Sequence, residues 1–202
     1  MSRFARVPNL PFRTALLALA ALPLQAVAHS GPGLHFDIVQ GLSHPFVGLD
    51  HLLVMIGVGL FAATLGGRAR WQVPTTFVAV MALAAVAAMT GLAGGSPAEH
   101  LLALSLLVIG VPIAMALKPS LPSALALVAV CAAVHGHAHA VELPATTMAT
   151  PYLAGMLLST ALLHAVGALA GLALGGRSAV GRVLTRSAGA AMAVVGMVLV
   201  YA

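Results

Sequence analysis

Three short stretches hold most of the side chains in this chain that can ligate a metal ion: HPFVGLDH at 44–51, HGHAHAVE at 135–142 and LLHAVG at 162–167. In the first, His44 precedes Pro45, whose ring pushes the preceding backbone away from helical geometry. A helix beginning at Pro45 puts Asp50 and His51 in its second turn. They then lie roughly 8–10 Å deeper than His44, at about 1.5 Å per residue. His44 and His51 are seven residues apart and fall on similar faces. In the second stretch, His135 and His139 share a helical face, and Glu142, three residues on, stays close to it. These three can converge on one cation if the helix persists that far, while His137 points elsewhere. Two imidazoles with a carboxylate suit a borderline divalent ion such as Ni²⁺, Co²⁺ or Zn²⁺. In the third, His164 lies about 20 Å into a long apolar run. An ionisable residue at that depth is costly and marks a functional position. The structural alternatives are a helix-capping His44, a merely polar His-rich loop and a packed His164. Cys131, one turn from His135, reads as a small core residue, and Met55 reads as core filler.

The elements that must position these groups are apolar helices. The chain has 202 residues, 61% of them hydrophobic and 6% charged. Its mean hydropathy is +1.07. A soluble domain carries about 25% charged residues. The expected fold class is therefore all-α, a six-helix transmembrane bundle. MSRFARVPNLPFR is a basic leader, TALLALAALPLQ an apolar stretch short for a span, and AVA at 26–28 fits a small-x-small cleavage site. Residues 1–28 are thus expected to be a cleavable signal peptide, with His29 as the mature N-terminus. The membrane domain, 29–202, is expected to cross at about 46–66, 73–93, 98–117, 122–140, 151–174 and 183–201. Pro45, Pro74, Pro97, Pro122 and Pro151 stand at the starts, where a missing N–H costs little. Pro112 falls inside the third run. Ser96 with Glu99 reads as a capping box. Gly91-x3-Gly95, Gly167-x3-Gly171 and Gly171-x3-Gly175 allow close helix approach.

Charge sets the orientation. Arg68 and Arg70 follow the first run, Lys118 the third, and Arg177, Arg182 and Arg186 the fifth; the other two gaps lack Lys and Arg. The positive-inside rule makes the basic gaps cytoplasmic. Both mature termini are then periplasmic, as cleavage also requires. Trp71, Tyr152 and Tyr201 fall near interfaces, as aromatic anchors do. All four acidic residues lie on the outer side with eight of the nine histidines. His29, His35 and Asp37 join His137 as possible outer ligands. The net charge of +5 does not indicate nucleic acid: without Arg3, Arg6 and Arg13, six basic residues face four acidic ones, a net +2, and no basic face is built. A single cysteine excludes an intrachain disulfide and a cysteine-rich metal site.

The residues point to a divalent metal ion held on the outer half of the bundle, with His164 as a deeper foothold along its path. No catalytic residues and no permanently bound cofactor are expected. HExxH is absent, as are Walker A and its GKS/T core, so neither an intramembrane metallohydrolase nor direct ATP driving is indicated. The alternatives are a metal-binding sensor or buffer, which binds without passing the ion, and a haem-binding redox protein with His164 opposite a histidine of 135–139.

HPFVGLDHLLVMIGVGL, HGHAHAVE and LLHAVG, in a chain near 200 residues with six apolar runs, resemble the HupE/UreJ family over essentially the whole mature chain. HPxxGxDH is the most specific part. The resemblance implies a nickel or cobalt permease, with cytoplasmic hydrogenase or urease metallochaperones as partners. It directs attention to His44, Asp50, His51, His135, His139, Glu142 and His164. The first stretch is also similar to the HxxxxDH signature of larger nickel/cobalt transporters, with one more residue between His44 and Asp50.

Overall fold

The computed structural model describes residues 34–92, 99–143, 146–175 and 178–201. The expected signal peptide, its cleavage point and His29 lie outside the described residues. The fold is all-helical, with no strand among the described residues. Among the described residues seven α-helices run in order: α1 Leu34–Ser43, α2 Leu49–Leu65, α3 Ala69–Met89, α4 Glu99–Ala114, α5 Leu121–Val141, α6 Ala149–Leu174 and α7 Ala179–Tyr201. A 3-10 turn, His44–Phe46, joins α1 to α2. By length and composition α3, α5, α6 and α7 are long and apolar enough to cross a membrane. The α1–turn segment and α2 reach that standard as a pair bent by 81°, and α4 is a shorter apolar helix of 16 residues.

Several boundaries differ from the sequence expectation. The first run is not one helix from Pro45. Pro45 sits inside the 3-10 turn, and extended backbone at Gly48 (φ −99°, ψ 127°) restarts the chain as α2. Asp50 and His51 therefore occupy the first turn of α2, not the second. The third helix of the series, α3, begins at Ala69 and carries Pro74 within it. There the ring costs one backbone hydrogen bond near the helix start, where few bonds are yet made. α4 stops at Ala114, just ahead of Ala116, whose positive φ of 54° cannot continue a helix. α5 starts under a Ser120 cap that accepts from the Ser123 N–H. It runs unbroken past His139 to Val141.

α2 is the central helix. It packs on α6, α4 and α3; α3 pairs with α5, α4 with α7, and α1 lies against α6. Its buried residues include Val54, Met55, Val58, Leu60, Phe61 and Ala62. In a bilayer, apolar side chains gain little by leaving lipid for protein, so helix association relies on close packing. The α2–α6 contact shows this directly. A Cβ added at Gly59 would collide with the His164 carbonyl oxygen, and one at Gly167 with the Ile56 carbonyl oxygen. Each helix meets the other's backbone through a glycine. Of the three small-residue pairs in the sequence, Gly167/Gly171 serves this contact, whereas Gly91 faces open space. Gly59→Ala must force the helices apart, since backbone cannot yield as a flexible side chain would. It should destabilise the protein by about 1–3 kcal/mol, seen as a lower thermal midpoint in detergent. An unchanged midpoint would contradict this packing.

Candidate metal centre

The first turn of α2, the 3-10 turn and the last turns of α5 meet at one end of the bundle. His44, His51 and His139 come together there. One potential ligand atom from each lies within 4.8 Å of the others. The His139 ring stands 4.7 Å from the rings of both His44 and His51, and the latter two are 6.0 Å apart. The route to this cluster differs from the sequence expectation. His44 and His51 are not two turns apart on one helix; the break at residues 47–48 sets the segment ending at Phe46 at 81° to α2.

Asp50 prepares His51. Its Oδ1 accepts from the His51 ring Nδ1–H and from the His51 backbone N–H, each at 2.9 Å. Fixing the proton on Nδ1 leaves Nε2 as a lone pair. A carboxylate behind a ligating imidazole is the usual second-layer arrangement of metal sites. Gly48 makes room for it. A Cβ there would stand 2.7 Å from Asp50 Oδ1 and 2.8 Å from His51 Nδ1, so a side chain would crowd the pair.

The same preparation recurs deeper. The His135 Nδ1–H donates to the Cys131 carbonyl at 2.8 Å, and the His164 Nδ1–H donates to the Met55 carbonyl at 2.6 Å. In each case Nε2 is buried with no hydrogen-bond partner among the described residues, as is Nε2 of His51 and both nitrogens of His139. Buried polar atoms are ordinarily satisfied. Imidazole nitrogens that bond no other described group keep their lone pairs available to a cation. The His135 ring lies 5.3 Å from that of His51, beside the triad.

Glu142 caps the C-terminus of α5 at the rim, half exposed, with Oε2 3.8 Å from His44 Nε2. Partial desolvation raises its carboxyl above the ordinary range. It faces His44 and does not share a converged trio with His135 and His139. His35 is exposed on α1, and His137 is partly buried on α5. Asp37 is buried and accepts from the Met148 N–H at 3.0 Å, so it caps the start of α6. Ser159 bonds the Met156 carbonyl within its own helix.

Two contributors were not recognisable as such in the sequence. Tyr152, expected at an interface, is 2% exposed, and its ring stands edge-on to His44 at 5.6 Å. α1 covers it. Trp71 and Tyr201, by contrast, are exposed as interfacial aromatics would be. Phe77 of α3 is fully buried against the rings of His135 and His164. Nothing in one sequence distinguishes it from other core phenylalanines.

Long apolar helices around a polar core of imidazoles define a helical membrane protein. The family model described as HupE / UreJ protein matches residues 17–199. A curated relative, protein HupE of Rhizobium leguminosarum bv. viciae, is 45% identical over 183 residues, covering 90% of this chain and 94% of its own length. The chain belongs to the HupE/UreJ family. No solved structure matches it.

Proposed function

We propose that the chain is a permease that carries Ni²⁺ or Co²⁺ from the periplasm to the cytoplasm across a bacterial inner membrane. The observation that carries this reading is the convergence of His44, His51 and His139 within 4.8 Å. Family membership and the confinement of the cluster to one end of the bundle support it. Six crossings fit the helices if the bent α1–α2 segment counts as one and α4 as another. The basic gaps then face the cytoplasm, and the histidine end faces the periplasm.

The ion is substrate. Arriving hydrated, it meets Glu142 and His44 at the rim, and the triad imidazoles replace part of its water shell. Asp50 supplies negative charge where an uncompensated dication would be expensive. His135 and then His164 offer nitrogens one turn deeper. Release feeds cytoplasmic metallochaperones of hydrogenase or urease. Binding must be firm enough to admit the ion and loose enough to let it go. No step breaks or forms a covalent bond, so the role is transport and not catalysis.

The test is uptake of radiolabelled nickel and cobalt by cells lacking other high-affinity routes. Asp50→Ala and His135→Ala should each lower uptake at least about tenfold. Uptake should also fall at low external pH, because only neutral imidazole ligates. Wild-type uptake in both variants would refute the site. No uptake above background in the wild type would refute the function, and binding without uptake would leave a sensor or buffer.

A further inference from the structure

The polar core has two levels. His51 heads α2; one turn on, about 6 Å along the axis, the Met55 carbonyl anchors the His164 ring. His164 lies outside the triad of mutually close ligand atoms. Its Nε2 is not the only orphan at that level. Thr160, one turn earlier on the same face of α6, is fully buried, and its hydroxyl has no partner among the described residues. A threonine in a helix usually returns its hydroxyl to a carbonyl of the preceding turn. Thr64 and Thr185 do so here. Thr160 does not, which leaves an oxygen and a nitrogen available together.

Phe77 touches both levels. Its ring centroid is 5.7 Å from that of His135, which itself lies beside His51, and 5.0 Å from that of His164, edge-on at 87°. The side chain is completely buried. A phenyl ring offers an ion no lone pair to replace a lost water. Packed against an imidazole of each level, the ring is an apolar group that an ion passing from one to the other would meet. Hydrophobic constrictions gate channels in this way.

We propose that Phe77 is the gate between the outer histidine triad and a separate inner station formed by His164 Nε2 and Thr160 Oγ1. This rests on the permease reading, and it adds two residues which that reading does not use. Rotation of the Phe77 side chain opens the way past His135. Ion binding at the triad and ion movement are therefore separable, because Phe77 contributes to the second alone.

The experiment uses full-length protein in liposomes, with Ni²⁺ as the probe. Equilibrium Ni²⁺ binding and the initial rate of Ni²⁺ entry are measured on the same preparations. Phe77→Ala should raise the entry rate about tenfold, a barrier lower by about 1.4 kcal/mol. Phe77→Trp should abolish entry while Ni²⁺ affinity stays within about threefold of wild type. Thr160→Val, nearly the same shape without the hydroxyl, should slow entry. Phe77→Leu, which keeps an apolar plug, serves if the alanine variant does not fold, and should enter faster than wild type but slower than an open path. Entry at the wild-type rate in variants that still bind Ni²⁺ would overturn the gate. So would loss of Ni²⁺ binding in a folded Phe77 variant, which would make the ring part of the binding site. Entry by wild type that ignores Phe77 overturns the gate alone. No entry by wild type overturns the permease reading and the gate with it.

Discussion

His139→Ala should bind Ni²⁺ at least about a hundredfold more weakly than wild type and take up none. His139 is the shared member of the cluster, with its ring 4.7 Å from both His44 and His51. It is 1% exposed, and neither ring nitrogen has a hydrogen-bond partner among the described residues. Its imidazole bonds no other described group, so removing it breaks no hydrogen bond among them. Truncation removes an unsatisfied polar group and leaves a small cavity, and these costs oppose each other. The metal-free thermal midpoint should move little. The metal-dependent part should vanish. At a Ni²⁺ concentration about a hundredfold above its dissociation constant, wild type gains about 2.7 kcal/mol by linkage, and His139→Ala should gain almost nothing. Thermal unfolding with and without Ni²⁺ measures both quantities. A large loss of metal-free stability with intact Ni²⁺ stabilisation would mark His139 as a packing residue.

Asp50 should prove nearly as sensitive, through His51. Asp50→Ala removes the acceptor for the His51 ring N–H and the negative charge beside the site. It should weaken Ni²⁺ binding about 10–100-fold. Asp50→Asn keeps a carbonyl oxygen that can accept from Nδ1–H but gives up the charge, so it should fall between wild type and alanine. Ni²⁺ titration of the three proteins checks the order. Asparagine binding as tightly as aspartate would show that the charge contributes nothing to holding a dication here, against the proposed compensation. Gly48→Ala should act in the same direction, since its Cβ would crowd the carboxylate and the ring it holds.

Much of the helical class was readable because apolar runs of spanning length and the residues at their ends announce themselves. The facing of His135 and His139 was readable because both lie in one unbroken helix, where residues four apart must align. The triad was not. Its members come from the 3-10 turn, α2 and α5, and their meeting depends on a bend at residues 47–48 and on the packing of α2 against its neighbours. A helix drawn from Pro45 onward put His44 at a distance from His51 that the bend cancels. α1 was missed as well: its ten residues are too few and too polar to read as a span, yet it covers Tyr152 and brings Asp37 to the start of α6. Asp37 illustrates the general difficulty. A carboxylate near histidines reads as a possible ligand in sequence, and its bond from the Met148 N–H, 111 residues away, has no local signal there. Phe77 carried no signal, because its interest lies wholly in what it touches; Thr160 reads in sequence as a hydroxyl bonded within its own helix, as Ser159 is, and its hydroxyl has no partner among the described residues.

The most direct test of the central claim, that His44, His51 and His139 form one ion site, is X-ray absorption spectroscopy of the purified protein loaded with one equivalent of Ni²⁺, for wild type and for His44→Ala, His51→Ala and His139→Ala. Wild type should show the imidazole scattering of three histidines on nickel, and each variant still loaded at high Ni²⁺ should show one fewer. A nickel coordinated by oxygen alone, or an imidazole count unchanged by all three substitutions, would contradict the site.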